Sequence, residues 1–188
     1  MQYKQAGDFI LDKLEKEIPA TLCYHNIDHT RDVCDAVERL GRAENIPDYE
    51  LKLLYVAACY HDSGFLNVAH EHEAESCRIA RENLPAYSFN NDEIDRICGM
   101  IMATRIPQSP RNKLERILAD ADLDYLGRDD FFTIGDKLYH ERKLTDRNEW
   151  NQVQLKFMQA HHYFTQTALN LRGPKKQQNL EKVRALLQ

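Results

Sequence analysis

The sequence has few of the residues that interrupt regular structure. Glycine occurs 7 times and proline 6 times in 188 residues, and we find no convincing run of strand-forming residues. This scarcity favours helices over a fold built from many short strands. A chain of this length fits one domain of ordinary size, and it can bury about 70% of its unfolded surface without covalent staples. We therefore predict an all-α fold, a single-domain helical bundle over residues 1–188.

The sequence also gives no indication of a disulfide framework, a membrane span or a nucleic-acid-binding surface. The five cysteines are odd in number and include no C-x-x-C pair, which argues against a disulfide framework and a zinc finger. The segment Met1–Glu17 lacks the apolar core of a signal peptide, and no run approaches the ~18 apolar residues of a membrane span. The net charge is -5, the opposite of what a nucleic-acid polymer attracts. We expect a reduced, cytoplasmic protein that binds neither membranes nor nucleic-acid polymers; the sequence is compatible with a homodimer.

Apolar residues at helical spacing, together with caps and breakers, predict nine helices. Gly127 is expected to cap the sixth helix, and Gly173-Pro174 is expected to separate the last two. The predicted segments are about 3–17, 28–44, 49–60, 71–83, 92–104, 113–126, 131–140, 148–171 and from 177 onward.

Three of these helices carry histidine or aspartate in line with their apolar stripes. His29 extends the stripe of the second helix, and His61-Asp62 ends that of the third. Asp122 lies at the edge of the stripe of the sixth helix, whereas Asp120 projects nearer to solvent. Buried carboxylates are costly unless they are paired or bind a cation. Two imidazoles and two carboxylates suit a divalent ion such as manganese, iron, zinc, cobalt, nickel or magnesium.

Each of these residues also has an ordinary interpretation. A histidine at a helix N-terminus is more often a simple polar contact, and a His-Asp pair can merely end a helix. Asp122 is also compatible with an ordinary surface carboxylate, because Asp124 lies almost as close to the apolar stripe and position alone does not single out Asp122. Periodicity does not show that three helices converge, so the residues alone leave a metal site and an unremarkable polar surface both open.

Three segments in order resemble the HD superfamily of metal-dependent phosphohydrolases. Residues 24–33 (YHNIDHTRDV) resemble the first motif of cyclic-nucleotide phosphodiesterases and their bacterial relatives. Residues 57–65 (AACYHDSGF) resemble the His-Asp segment, and residues 120–127 (DADLDYLG) resemble a segment of bacterial HD proteins. The motif-bearing part spans about 21–127, and the C-terminal helices of 128–188 would pack on it.

The resemblance implies roles for the residues that carry it. His29, His61, Asp62 and Asp122 would bind one divalent metal ion, and Asp62 would also orient the attacking water. His25 takes the place of the histidine that protonates the leaving oxygen in the phosphodiesterases. A structural hydrogen-bonding histidine is the alternative for His25.

Two further residues are candidates for substrate binding. Many HD proteins carry a His-Glu pair that faces the substrate phosphate or a second metal, and His72 occupies that position here. Arg105 follows the fifth helix and is placed to bind phosphate through two nitrogens, the alternative being a solvated arginine. His161-His162 resembles part of a segment in some bacterial HD proteins, for which buried packing is the simpler interpretation.

The resemblance has departures that limit the expected function. Ser63-Gly64-Phe65 replaces the Ile-Gly-Lys of cyclic-dinucleotide hydrolases, and the purine-selective glutamine and hydrophobic clamp of the phosphodiesterases have no identified counterpart. We expect a phosphohydrolase that uses a metal-activated water on a phosphomonoester or phosphodiester of a nucleotide or other small molecule. The alternatives are a non-catalytic signalling module that binds a nucleotide or metal, and a di-iron oxygenase, which would need further His and Asp ligands.

Overall fold

The structure, a computed structural model, describes residues 1–187 and contains helices and no strands within them. The helices are α1 (Tyr3–Glu17), α2 (Ile27–Ala43), α3 (Asp48–Tyr60), α4 (His72–Asn83), α5 (Asn91–Ala103), α6 (Lys113–Asp122), α7 (Phe131–Glu141), α8 (Arg147–Ala160) and α9 (Gln166–Ala185). Short 3₁₀ helices follow α3, α4 and α6 at Ser63–Leu66, Leu84–Tyr87 and Asp124–Gly127. The predicted all-α single-domain fold is confirmed. No helix of residues 1–187 has the length and apolar character needed to cross a membrane.

The third helix runs through the centre of the main hydrophobic core. From Leu53 to Tyr60 all side chains but Tyr55 are buried, so the second half of α3 is apolar nearly all round. It packs against α1, α2, α5 and α6, which is the arrangement expected of a helix with no solvent-facing stripe. Because α3 lies in the middle, the polar pair that follows it, His61-Asp62, is delivered into the interior.

A smaller apolar cluster joins the C-terminal helices to the 3₁₀ helix after α6. It combines Leu126 and Phe131 with Met158 of α8 and Val183 of α9. Gly127 allows this close approach, since a Cβ there would lie 2.4 Å from the carbonyl oxygen of Arg172. The C-terminal helices are thereby held against the end of α6, where Asp122 lies.

The prediction of one long helix over 148–171 is wrong, because the helix is interrupted at His161–Thr165. Asp120 of α6 accepts hydrogen bonds from the backbone N–H groups of Phe164 and Thr165, both at 2.8 Å. The Thr165 hydroxyl donates to Asp120 at 2.7 Å and also accepts from the backbone N–H of Ala168. The tertiary contact with Asp120 and the threonine cap together end one helix and start the next.

The expected separation at Gly173-Pro174 is also wrong, because Pro174 lies inside α9. On one side of it, Arg172 donates to both oxygens of Asp124 at 2.8 Å. On the other side, the Asn179 amide donates to the carbonyl oxygens of Leu126 and Arg128. These contacts hold the helix in place on both sides of the proline and offset the backbone hydrogen bond that the proline cannot make.

Candidate metal centre

His29 enters the site from the first turn of α2. Asn26 caps this helix, and its side-chain oxygen accepts from the backbone N–H groups of Asp28 and His29 at 3.0 and 3.3 Å. The cap fixes where the helix begins and therefore where the His29 imidazole points. The His29 side chain is buried.

His61 and Asp62 enter from the end of α3. The Nδ1–H of His61 donates to the carbonyl oxygen of Ala58 at 2.7 Å, which leaves Nε2 with its lone pair facing the site. His61 has no exposed surface and Asp62 is 4% exposed. Two polar side chains are thus held in the core by the helix that precedes them.

Asp122 is the last residue of α6 and completes the group. Asp120, expected nearer to solvent, is instead fully buried and is saturated by the backbone and hydroxyl of the α8–α9 connection. It is therefore a structural residue. The two aspartates of the DAD segment have separate tasks, one holding the fold and the other facing the histidines.

The nitrogen and oxygen atoms of His29, His61 and Asp122 lie close together, and Asp62 Oδ2 lies beside both histidines. His29 Nε2 lies 3.3 Å from His61 Nε2, 3.4 Å from Asp62 Oδ2 and 3.2 Å from Asp122 Oδ1. His61 Nε2 lies 3.3 Å from Asp62 Oδ2 and 3.7 Å from Asp122 Oδ1. Neighbouring ligands of one divalent ion bound at 2.0–2.2 Å are about 2.8–3.6 Å apart. Four of these five separations fall in that range, and the His61–Asp122 separation of 3.7 Å lies just outside it.

One buried oxygen supports this interpretation independently. Asp62 Oδ2 is buried and makes no hydrogen bond, although it lies beside both imidazoles. A buried carboxylate oxygen without a partner is costly, and coordination to a cation removes the cost. His29, His61 and Asp122 form a set in which every donor atom lies within 4.8 Å of the others, and Asp62 joins it through the two histidines.

The carboxylates are held in the ionised form that a metal requires. Burial alone would raise the pKa of Asp122, but the neighbouring imidazoles of His29 and His61 lower it to about 2. Burial opposes ionisation of Asp62 as well, and the charge of the neighbouring His61 brings its pKa well below the ordinary value. Burial lowers the pKa of His61, but the charges of Asp62 and Asp122 raise it overall. A bound cation would take the place of the proton on His61.

His25 lies next to the centre and is oriented by a carboxylate from α7. Its Nδ1 is hydrogen-bonded to Glu141 Oε1, and Glu141 Oε2 accepts from the backbone N–H groups of Tyr24 and His25 at 2.8 and 3.0 Å. Burial lowers the pKa of His25, but the Glu141 hydrogen bond and the nearby Asp62 and Asp122 raise it overall. These contacts shift the equilibrium of His25 toward the protonated imidazole, relative to a free histidine.

Phe65 separates and supports two histidines at this edge of the site. Its ring stacks on His25 with centroids 4.4 Å apart and on His72 with centroids 4.0 Å apart. His72 Nε2 lies 3.3 Å from Asp62 Oδ1, the oxygen that does not face His29 and His61. The structure thus brings His25 and His72 together beside the four candidate ligands.

Arg105 is the one predicted site residue that the structure leaves outside. Its side chain is exposed and donates to Glu71 at 3.1 Å, whereas its neighbours Thr104 and Ile106 line the cavity beside the centre. The side chains of successive residues point in different directions where the helix ends, and of these three residues Arg105 is the one whose side chain does not line the cavity.

A mainly apolar cavity of about 340 Å³ opens from the centre. His25, Asp62 and His72 lie at one end, and α7 and α8 supply the far wall. The residues of this far wall include Phe131, Leu138, Arg142, Trp150, Val153, Gln154, Phe157 and Met158. The arrangement joins a polar reaction end to an apolar chamber, as small-molecule sites usually do.

A second cavity of about 370 Å³ reaches Asp122 and His29 from the other side. Its wall carries charges of both signs and contains neither His25 nor His72. The charged residues are Asp28, Asp32, Asp35, Asp122 and Asp130 together with Arg31, Arg128 and Lys137. The two histidines beside the centre therefore face the 340 Å³ cavity and not this one.

Sequence reasoning missed Glu141 and Arg142. Glu141 bonds to residues 116 and 117 positions earlier in the chain, and it belongs to no motif that would single it out. Arg142 is the only lysine or arginine that lines the 340 Å³ cavity within the described part of the chain. Its position depends on how α7 packs, which the periodicity of α7 does not reveal.

Comparisons with known proteins give a fold likeness over the whole chain. No family model matches, and no curated protein matches. A predicted HD superfamily hydrolase from an uncultured Thermotogales bacterium superposes with a TM-score of 0.64 over 98% of this chain and 90% of its own, at 19% identity. This chain has the HD-superfamily fold.

Two other solved structures share the HD fold seen here. YpgQ of Bacillus subtilis, solved in complex with ADP, gives a TM-score of 0.69 at 18% identity and covers 99% of this chain and 95% of its own. A structural-genomics protein from Lactobacillus plantarum gives 0.72 at 17% identity, with 99% and 97% covered. The likeness to these proteins concerns the fold, and the chemistry must be argued from the residues of this chain.

Proposed function

We propose that this protein is a metal-dependent phosphohydrolase that acts on a phosphoester of a nucleotide or a similar small molecule. The observation that carries the proposal is the convergence of two imidazoles and two carboxylates from α2, α3 and α6, with the buried Asp62 Oδ2 left unpaired. His29, His61, Asp62 and Asp122 would hold one divalent cation. That cation would polarise a phosphoryl oxygen and acidify a water molecule.

The surrounding side chains have distinct tasks in this proposal. Asp62 orients the attacking water through the carboxylate that reaches both the ligand group and His72. His25 delivers a proton to the leaving oxygen, for which its raised pKa and cavity position suit it. Glu141 fixes the ring of His25 and stabilises its charged form. His72 contacts the phosphoryl group at the same end of the cavity.

The cavity supports a substrate with an apolar or aromatic body. Trp150, Phe157 and Phe131 line the cavity, and because aromatic rings favour stacking, this lining suits a planar ring. Arg142 at the cavity wall offers a contact for a second anionic group. The ADP bound to the structurally similar YpgQ has a ring and two phosphates, so a nucleotide is the substrate class that we propose to test first.

A panel of nucleotides and artificial phosphodiesters, assayed for turnover with manganese, tests the proposal. We expect hydrolysis by the native protein and a fall of about 10²-fold or more for His25→Ala at unchanged metal content, since positioned acids contribute 10²–10⁴-fold. Metal binding without turnover of any phosphoester would favour the signalling-module alternative. Two iron atoms per chain in the purified protein would favour the oxygenase.

A further inference from the structure

Four of the five cysteines lie in two pairs that bridge neighbouring helices. Cys34 of α2 faces Cys59 of α3, with their Sγ atoms 3.5 Å apart. Cys77 of α4 faces Cys98 of α5. All four thiols are free. The two pairs differ in what surrounds them.

Cys77 and Cys98 make a reciprocal contact. The Cys77 thiol donates to the carbonyl oxygen of Cys98 at 3.5 Å, and the Cys98 thiol donates to the carbonyl oxygen of Cys77 at 3.7 Å. Each sulfur therefore already reaches the backbone of the other residue. Closing a disulfide requires the two side chains to rotate so that the sulfurs turn from these carbonyl oxygens toward each other.

This pair also lines a surface groove. Cys77 and Cys98 lie in the wall of an open cavity of about 790 Å³, together with Arg81 and Arg111. Cys59, by contrast, has no exposed surface. Its partner Cys34 is 8% exposed, close to the 9% of Cys77. A small neutral oxidant such as hydrogen peroxide thus has a route to both thiols of the Cys77–Cys98 pair, but to only one thiol of the Cys34–Cys59 pair.

The electrostatic surroundings favour one thiol of this pair as the nucleophile. The interaction with Cys77 and the charge of Arg81 lower the pKa of Cys98 below its ordinary value, against the effect of burial. The interaction with Cys59, together with burial, raises the pKa of Cys34 well above its ordinary value. Since the thiolate is the reactive form, Cys98 is better prepared for oxidation than Cys34.

We propose that Cys77 and Cys98 form a reversible disulfide when the protein meets hydrogen peroxide. The Cys98 thiolate attacks one peroxide oxygen, the O–O bond breaks, and hydroxide leaves to take up the proton that Cys98 released. The Cys77 sulfur then attacks the sulfur of the Cys98 sulfenic acid, and its own proton leaves with the hydroxyl as water. Two thiols and one peroxide molecule give one disulfide and two water molecules.

The bond would lie beside residues that support the candidate metal centre. Ser76, next to Cys77, donates to the carbonyl oxygen of His61 at 2.7 Å and accepts from the backbone N–H of Gly64 at 2.8 Å. A link between α4 and α5 would therefore restrain the helix that buttresses the His61-Asp62 turn. The disulfide itself forms whether or not the protein hydrolyses phosphoesters.

Peptide mapping of the full-length protein tests the proposal without any activity assay. The reduced protein is treated with hydrogen peroxide, remaining thiols are blocked with N-ethylmaleimide, and the protein is digested without reductant for mass spectrometry. We expect a Cys77–Cys98 cross-linked peptide pair that dithiothreitol releases and that forms roughly tenfold faster than a Cys34–Cys59 pair. Cys98→Ser should remove it, and Cys34→Ser should leave it in place.

The map of the native protein decides the outcome even if a variant fails to fold. Alkylation of both Cys77 and Cys98 after peroxide treatment would overturn the proposal. Conversion of Cys98 to a sulfinic acid without a cross-link, or a Cys34–Cys59 link forming first, would overturn it as well.

Discussion

Glu141→Gln removes one charge from the pair that orients His25 and keeps the shape of the side chain. A hydrogen bond to a charged group contributes about 1.5–3 kcal/mol, and about 1.4 kcal/mol corresponds to one pKa unit. The pKa of His25 is raised by Glu141 in the native protein, so the variant should show a His25 pKa about 1–2 units lower. The cation expected at the centre would itself disfavour a charged His25, which makes the Glu141 contribution more important.

The sign of the effect on rate follows from the acid role. His25 acts when protonated, so activity is full below its pKa and is lost as pH rises through it. Lowering that pKa moves the alkaline limb of the rate profile of Glu141→Gln to lower pH by about 1–2 units. The assay is a pH–rate profile with manganese and a chromogenic phosphodiester, and NMR titration of the His25 ring gives the same comparison without substrate.

Asp136→Asn is the matched control, since Asp136 is an exposed carboxylate on the same helix that pairs with Arg147. It should leave both the profile and the His25 titration unchanged. A Glu141→Gln protein with the native alkaline limb and a native His25 titration would refute the argument that Glu141 prepares His25 as an acid.

Two further substitutions separate structure from substrate recognition. Asp120→Ala loses three hydrogen bonds between α6 and the segment that leads into α9, so denaturant unfolding should show about 2–4 kcal/mol of lost stability. Asp129→Ala at the exposed surface should change the free energy of unfolding by less than about 0.5 kcal/mol. Equal effects of the two substitutions would contradict the structural role of Asp120. Phe157→Ala should raise KM for a nucleotide roughly 2- to 10-fold through lost stacking and leave KM for a sugar phosphate unchanged. Phe9→Ala, remote from the cavity, is the control. An equal rise in KM for both substrates would show that the apolar wall does not select the ring.

Local signals predict most helix bounds to within one or two residues. Pro19 follows the end of α1, and Asn26, Asn90 and Asn112 each cap a helix through a side-chain oxygen. These signals act within a few residues and are readable from the sequence. The break at residues 161–165 depends on Asp120, 44 positions away from Phe164, so propensity alone continues the helix through it.

The candidate site likewise contains some residues that the sequence predicts and others that depend on how distant helices pack. The histidines and aspartates stand out because they extend apolar stripes, and the likeness of their segments to HD proteins indicates that the stripes meet. Glu141 and Arg142 come from a helix whose placement depends on the packing of α7 against the turn after α6. Helical projection also misjudged Asp120, because it considers one helix at a time and the α8–α9 connection covers the face that it assigns to solvent.

The most direct test of the central claim is metal content after dialysis against manganese, measured by elemental analysis on four proteins. The native chain and Asp120→Asn should each retain one divalent ion per chain, because Asp120 faces the α8–α9 connection. His61→Ala and Asp62→Ala should each retain little or none. Full occupancy in both of these variants, or no metal in the native protein at any pH where it is folded, would contradict the assignment of the centre.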